Sequence, residues 1–303
     1  PNIDPYNEKF NTSLSEQVDK LFKIAQKKIT ENTTILIAPE TAISASVWEN
    51  NFTETSICSV FQDFSIKNNV PILTGASTLK YFKTKQSNIT RELSNNQGYY
   101  ESYNTSILFN NNKLPQFMHK SKLVLGVEKI PFNTFFPWLE DVAIDLDGAS
   151  GSLGVEKTPK SFHINNLNFT STVCYESVYG GFVTQQVKKG ADFIFIITND
   201  GWWGDTPGYK QHASFASLRA IENRRSIARS ANTGISCFIN QKGDIFSKSK
   251  WWVEDALKES INKNNKVTFY TKYGDLLGEI FKFLFYFSLL ILSYLSLKKA
   301  IKK

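Results

Sequence analysis

The 303 residues carry 35 Lys and Arg against 28 Asp and Glu, a net charge of +7, with 41% hydrophobic, 21% charged and 14% aromatic residues. This balance excludes a disordered chain, a collagen-like repeat and a disulfide-stapled miniature, and fits one large domain or two small ones with a sizeable core. Four of the positive charges are Lys298, Lys299, Lys302 and Lys303, so the other 297 residues carry only +3, with no basic face or binding signature that would make nucleic acid a partner.

Pro1 is not an initiator, so the chain is expected to be a fragment or a processed product. Residues 14–30 place Leu14, Val18, Leu21, Phe22 and Ala25 at i, i+4, i+7, i+8 and i+11, which predicts an amphipathic helix. The apolar run 35–38, closed by Pro39, reads as a strand buried on both faces. A helix near 52–68 leads to a strand at 70–75, a polar hairpin-like region at 80–103 and a strand at 105–109. Residues 117–128 read as a loop with unusual chemistry, 131–140 as an aromatic, Pro-bounded segment and 147–154 as a Gly/Asp/Ser-rich turn region. Strands at 161–164 and 168–173 run into Cys174, and a helix near 178–189 precedes 193–197, the strongest buried-strand signal. A helix at 212–224 and strands near 226–230, 235–240 and 244–246 follow. Mixed helices and continuously apolar strands favour a layered α/β fold.

Cys58, Cys174 and Cys237 are too few and too widely spaced for a disulfide framework or a C-x-x-C pair. His119, His163 and His212 form no paired-ligand pattern, so neither a protein metal site nor a cofactor is expected.

Three residues stand where chemistry is possible. Glu40 follows a buried strand, and the carboxyl ends of strands are where open α/β sheets hold ligands. A desolvated carboxylate there suits a general base, while the plainer alternative is a carboxylate bonded to a helix N-terminus. Cys174 also ends a strand, at a turn able to expose its sulfur, although a free thiol is commonly core. Lys120 stands beside the apolar Leu123, Val124 and Leu125, and a lysine buried there needs a carboxylate partner.

The order Glu40, Lys120, Cys174 resembles the nitrilase, or carbon–nitrogen hydrolase, superfamily, and within it the apolipoprotein N-acyltransferases of bacterial inner membranes. The matching pieces are APET around Glu40, HKSKLVLGVEKIPF from His119, and VCYES around Cys174. NDGWWGDTPGYKQH and LRAIENRRSIARSANTGIS are similar to the stretch beyond the nucleophile. Two departures stand out. These acyltransferases carry several spanning helices ahead of the nitrilase-like domain, whereas this chain opens where that domain finishes its first strand. The usual L-V-P-F-G-E is here Leu123-Val124-Leu125-Gly126-Val127-Glu128, with the eight-residue spacing from Lys120 to Glu128 retained.

The resemblance implies an αββα sandwich over residues 1–272, lacking its first strand. It also implies a mechanism in which Glu40 takes the proton of Cys174, the thiolate attacks a phospholipid ester and Lys120 stabilises the oxyanion. The acyl chain then passes to the α-amine of a diacylglyceryl-cysteine at a lipoprotein N-terminus. Glu128, Tyr175 and Glu176 form a supporting set, Glu128 to orient Lys120 or relay protons and Glu176 to hold the nucleophile turn. Phe132, Phe135, Phe136, Trp138, Leu139, Trp202 and Trp203 are lipid-facing candidates, with ordinary core packing as the alternative.

Residues 283–297 hold no charge, and extended back to Leu276 the apolar segment has 22 residues, about 33 Å of helix at ~1.5 Å per residue. It is predicted to span a membrane, with the lysine tail at 298–303 in the cytoplasm and the catalytic domain on the periplasmic face of the inner membrane. A buried amphipathic helix is the alternative. Residues 1–30 hold no signal-peptide pattern, so export is expected to rest on a segment outside this chain. The competing functional readings are a membrane-tethered amidase acting on small amides with the same triad, and an inactive nitrilase-like binding module.

Overall fold

The computed structural model describes residues 1–9, 11–94, 97–111, 113–130 and 152–301. The elements in order are α1 (Leu14–Gln26), β1 (Leu36–Ile37), β2 (Ile43–Trp48), α2 (Ser56–Asn68), β3 (Ile72–Phe82), β4 (Arg91–Glu92), β5 (Tyr99–Phe109) and β6 (Gln116–His119). The second half contributes β7 (Phe162–Ile164), β8 (Leu167–Val173), α3 (Gly180–Lys188), β9 (Phe193–Thr198), α4 (Pro207–Asn223), β10 (Ser226–Ala231), β11 (Cys237–Ile239), β12 (Ile245–Lys248), α5 (Phe269–Tyr273) and α6 (Leu276–Ile301).

Among the described residues the strands form two six-stranded sheets. One has the order β1-β3-β5-β4, with β2 on β3 and β6 on β5, and the other runs β12-β11-β10-β9-β8-β7. The period-two alternation of a strand explains how they stack. In β9, Phe193, Phe195 and Ile197 face the first sheet and meet Leu73, Leu108 and Met118, while Ile194 and Ile196 face outward onto Val183, Val187, Ala216 and Ala220 of α3 and α4. On the other outer face, Val18 and Leu21 of α1 and Phe61 of α2 cover Ile43, Ile72, Ile107 and Phe109. Phe61 and Phe109 stack at 5.0 Å, and each buried ring of this size stabilises the layer by about 2–3 kcal/mol. The result is the αββα sandwich that the resemblance implies, in which β9 is apolar throughout because both of its faces are covered.

Local chemistry sets the helix ends. Ser13 and Glu16 form a reciprocal capping box at α1, and Thr55 accepts from the Cys58 N–H at the start of α2. Asn69 closes α2 in the left-handed conformation that Asn tolerates best after Gly.

Several predicted elements shift. β2 is absent from the sequence reading because only Ile43 and Val47 of its six residues are buried, four apart, so no alternation shows. Part of the predicted loop at 117–128 is strand β6, paired with β5 from Leu108↔Gln116 to Thr105↔His119. The helix expected near 178–189 is α3, preceded by a 3-10 turn over Cys174–Val178. α4 begins at Pro207, five residues ahead of 212, because Thr206 caps it and Pro207 occupies the first turn. The segments 131–140 and, in part, 147–154 lie outside the described residues.

α6 is long and apolar enough to cross a membrane, and none of its residues is buried against the domain. β1 is the end strand of its sheet, with a neighbour on one side only among the described residues. Beside it a cavity of about 370 Å³ is lined by Ile24, Ile29, Ile37, Phe195, Phe238 and Ile261.

Candidate active site

Glu40 sits where the chain breaks between two strands that both run parallel to β3. The ladder holds as far as Ala38 N–H to Leu73 O at 2.8 Å and Gly75 N–H to Pro39 O at 3.1 Å, and β2 rejoins β3 from Ile43↔Ala76. Between them Thr41 has φ +47° and the backbone bulges onto Gly75. A Cβ on Gly75 would lie 2.5 Å from Thr41 N and 2.6 Å from the Glu40 Cα, so this excursion needs a glycine beneath it. The sequence placed Glu40 at a strand end, and the structure adds that no helix starts there.

The Glu40 carboxylate is buried and fully engaged. Its Oε1 accepts from Asn104 Nδ2 at 2.8 Å and from Lys120 Nζ at 3.3 Å, and its Oε2 accepts from the Asn199 N–H at 3.0 Å. Lys120 follows β6, where its N–H donates to the Asn104 carbonyl at 2.8 Å, and only 1% of the residue is exposed. Its ammonium donates to Glu128 Oε1 at 2.7 Å as well as to Glu40. Burial alone would lower the lysine pKa, but the Glu128 and Glu40 charges outweigh it and hold the ammonium well above the usual lysine range. Lys120 therefore stays charged.

Asn104 completes the cluster, donating from Nδ2 to Glu128 Oε1 at 2.9 Å in addition to Glu40. Sequence reasoning missed it. The only signal was an Asn within the otherwise strand-like SYNTSILF, a polar side chain that a buried strand keeps only with partners. Glu128 is fixed from the other side by the Val124 N–H, 2.9 Å from Oε2, in a tight turn where the Val124 carbonyl accepts from the Glu128 and Lys129 N–H groups. Gly126 takes φ +86° in that turn, so the altered loop sequence still returns Glu128 to Lys120.

Cys174 follows β8 directly and opens the 3-10 turn with φ +51°, a left-handed conformation that costs a non-glycine residue about 1–3 kcal/mol. The surrounding structure holds it there. Burial of the sulfur, followed by the Glu40 charge, pushes the thiol well above the usual cysteine range, while Lys120 and a hydrogen bond with the Thr198 side chain pull it down. The resting group is thus a thiol that has to lose its proton to a base before it can attack.

Glu176 is buried at 2% exposure and ties two parts of the site together. It accepts from the N–H groups of Val173 at 2.8 Å, Ser121 at 2.6 Å and Lys122 at 3.1 Å. Burial is the largest influence on its carboxyl and pushes it up to about 7, against the pull of these donors and of Lys120. Tyr175 is half-buried and packs edge-on against Tyr179 at 5.7 Å.

The aromatic candidates separate. Trp203 is 39% exposed in the 3-10 turn Asp200–Trp203, while Trp202 is half-buried, edge-on to Tyr6 at 5.4 Å with the Lys9 ammonium 5.5 Å from its ring centre. Phe132, Phe135, Phe136, Trp138 and Leu139 lie outside the described residues.

Against the Cys174 turn lies a second polar group that the sequence did not announce. His212 Nε2 is 3.0 Å from the Cys174 carbonyl, and its Nδ1 is 2.9 Å from Asp200 Oδ1, which Arg229 also engages. Arg229 is the leading favourable charge on Asp200 and, against burial, holds that carboxyl down at about 2.

Comparison with known proteins agrees with this fold. The carbon-nitrogen hydrolase family profile matches residues 4–265. The apolipoprotein N-acyltransferase of Chlorobaculum tepidum is 31% identical over 289 residues, covering 92% of this chain and 53% of that protein. The protein of the same name from Wigglesworthia glossinidia brevipalpis is 28% identical over 91% of this chain and 51% of its own length. The chain thus spans about half the length of these curated relatives. Among solved structures, a nitrilase-superfamily protein of Saccharomyces cerevisiae superposes with a TM-score of 0.56 at 14% identity, over 78% of this chain and 80% of its own. A carbon-nitrogen hydrolase from Helicobacter pylori G27 gives 0.55 at 10% identity, over 80% and 82%. These two show the fold, and the matched profile establishes that the chain belongs to the carbon–nitrogen hydrolase family.

Proposed function

We propose that this domain transfers an acyl chain from a phospholipid to the N-terminal amine of a diacylglyceryl-cysteine in lipoproteins, through a thioester on Cys174. The carrying observation is the buried Glu40–Lys120–Glu128 cluster together with Cys174 in a strained turn at the end of β8, in a chain whose curated relatives are named apolipoprotein N-acyltransferases. In this reading Glu40 takes the thiol proton and the thiolate adds to the ester carbonyl. Lys120, a fixed ammonium in a site of low dielectric, stabilises the resulting oxyanion. The proton held by Glu40 leaves with the lysophospholipid hydroxyl. The acceptor amine then attacks the thioester, gives a proton to Glu40, and the thiol is restored. Glu128 and Asn104 orient Lys120 and Glu40, and Glu176 holds the nucleophile turn against the lysine loop.

The wholly exposed α6 favours this reading over a small-amide hydrolase, because both proposed substrates keep their tails in lipid. Residues 1–272 are read as the catalytic domain on the periplasmic side of the inner membrane, 276–297 as its span and 298–303 as a cytoplasmic tail. Trp203, 39% exposed, is read as lipid-facing.

Two-substrate kinetics test the proposal. With a phospholipid donor and a diacylglyceryl-cysteinyl peptide acceptor, a covalent exchange gives parallel double-reciprocal lines. Intersecting lines, or release of ammonia from small amides with no acyl transfer, would replace this reading with another.

A further inference from the structure

Asp200, His212 and Arg229 are a charged group more completely buried than the catalytic cluster, and the proton transfers proposed above do not use them. Asp200 is 0%, His212 2% and Arg229 3% exposed. Desolvating such groups is costly unless their geometry is well satisfied, and here it is directed at one point of the backbone. They come from three elements: Asp200 from the turn after β9, His212 from the first half of α4 and Arg229 from β10.

Arg229 Nη2 reaches Asp200 Oδ1 at 3.1 Å and Oδ2 at 2.9 Å, and Nη1 donates to the Ile235 carbonyl at 2.6 Å. Asp200 Oδ1 also accepts from the Thr198 hydroxyl at 2.9 Å. His212 reaches the backbone of the nucleophile itself. Its Nε2 lies 3.0 Å from the Cys174 carbonyl oxygen and 3.1 Å from Ser177 Oγ, which itself donates to that carbonyl at 2.8 Å. A carbonyl has no hydrogen to give, so Nε2 carries one and donates it. At Nδ1 the ring meets an acceptor, Asp200 Oδ1 at 2.9 Å, and a donor, Arg229 Nη2 at 3.1 Å. Both charge states of the imidazole therefore have a partner at Nδ1 while Nε2–H stays on the carbonyl.

The carbonyl so held belongs to a residue in a strained conformation, φ +51°. In a trans peptide the C=O and the following N–H point in opposite directions. Two donors that fix the Cys174 carbonyl beneath the turn thus also fix the direction of the Tyr175 N–H on its other side.

We propose that His212, held by Asp200 and Arg229, is a positioning residue that clamps the Cys174 carbonyl and thereby aims the 174–175 amide N–H at the oxyanion formed on the attacked carbonyl. This rests on Cys174 being the nucleophile of the reaction proposed above.

The test separates aim from mere folding by comparing two reactions of the same sulfur. Acylation by 4-nitrophenyl butyrate forms an S–C bond, expels 4-nitrophenolate and passes through an oxyanion, whereas alkylation by iodoacetamide displaces iodide and builds none. Both are measured on the full chain in detergent, with the alkylated residue identified by mass spectrometry. His212→Ala is expected to slow the nitrophenolate burst by about thirtyfold while changing alkylation of Cys174 by less than about threefold. His212→Gln, which can present an amide N–H near the position of Nε2, is expected to restore the burst to within about fivefold of the parent. Equal losses in both reactions, or an unchanged burst in His212→Ala, overturns the proposal. If the Ala variant does not fold, the Gln variant decides: a burst near the parent's supports the clamp, and one lost in proportion to alkylation refutes it. A parent protein that alkylates at Cys174 but takes no acyl group from phospholipid would count against the proposed substrate and leave this comparison intact.

Discussion

The Ser121 N–H donates to Glu176 at 2.6 Å, joining residues 55 apart in sequence. One follows Lys120 and the other stands two residues past Cys174, the proposed nucleophile. With the Lys122 and Val173 N–H groups on the same carboxylate, Glu176 fastens the lysine loop to the end of β8. The distance between Lys120 and Cys174 thus depends on one buried acid as well as on the two sheets.

That acid carries a pH dependence. Its folded pKa of about 7 lies above the ordinary 4.5, so the folded state binds the extra proton and Glu176 lowers stability as pH rises from about 5 to 8. The full loss corresponds to about 3 kcal/mol. Guanidinium titrations of the full chain in detergent at pH 5 and pH 8 should show the parent losing more stability over this interval than Glu176→Gln, by that order. Equal slopes in the two proteins would remove Glu176 as the source.

Asn104 bridges two carboxylates that would otherwise share only Lys120. Asn104→Ala is expected to lower stability by about 1–3 kcal/mol and to slow Cys174 acylation by at least about tenfold. Asn104→Asp, which adds a third carboxylate, should be worse on both counts. Thermal unfolding and burst kinetics check this, and an Asp variant as active as the parent would argue against the bridge.

Lys120→Met keeps the apolar stem and removes the cation. Glu40 and Glu128 would then face each other without a counter-charge, and one is expected to take up a proton. The cost in stability is about 3–5 kcal/mol, with loss of acylation. Lys120→Arg should not rescue it, because a planar guanidinium does not fit the place of a compact ammonium that donates at 2.7 Å and 3.3 Å. Rescue by Arg would show that charge alone suffices.

The parts legible in sequence were those that local pattern determines. Residues 193–197 read as a buried strand because both faces meet apolar layers, and Cys174 and Glu40 stood out because each ends a strand. Lys120 was legible as a lysine beside apolar residues, although its carboxylate partners were named only through the family resemblance. β2 and β6 escaped because their burial does not alternate over enough residues to show a period. Asn104 and the Asp200–His212–Arg229 group escaped for another reason. A polar residue within a helix or strand does not reveal its partner when that partner is 64 residues away, as Glu40 is from Asn104, or 38, as Cys174 is from His212.

The topology follows from charge. Lys298 to Lys303 include no acidic residue, and each lysine is costly to translocate, so the tail is expected in the cytoplasm. A Cys added at the C-terminus should resist an impermeant thiol reagent applied outside the inner membrane. Labelling from outside would reverse the orientation and place the catalytic domain on the cytoplasmic face.

The most direct measurement is mass spectrometry of the protein after incubation with a phospholipid of defined acyl chains and no acceptor. The account predicts one acyl adduct, on Cys174, absent from Cys174→Ser, sensitive to neutral hydroxylamine as a thioester is, and discharged when a diacylglyceryl-cysteinyl peptide is added. Cys58 and Cys237, both buried, should remain unmodified. An adduct on another residue, or acyl transfer that persists in Cys174→Ser, would contradict it.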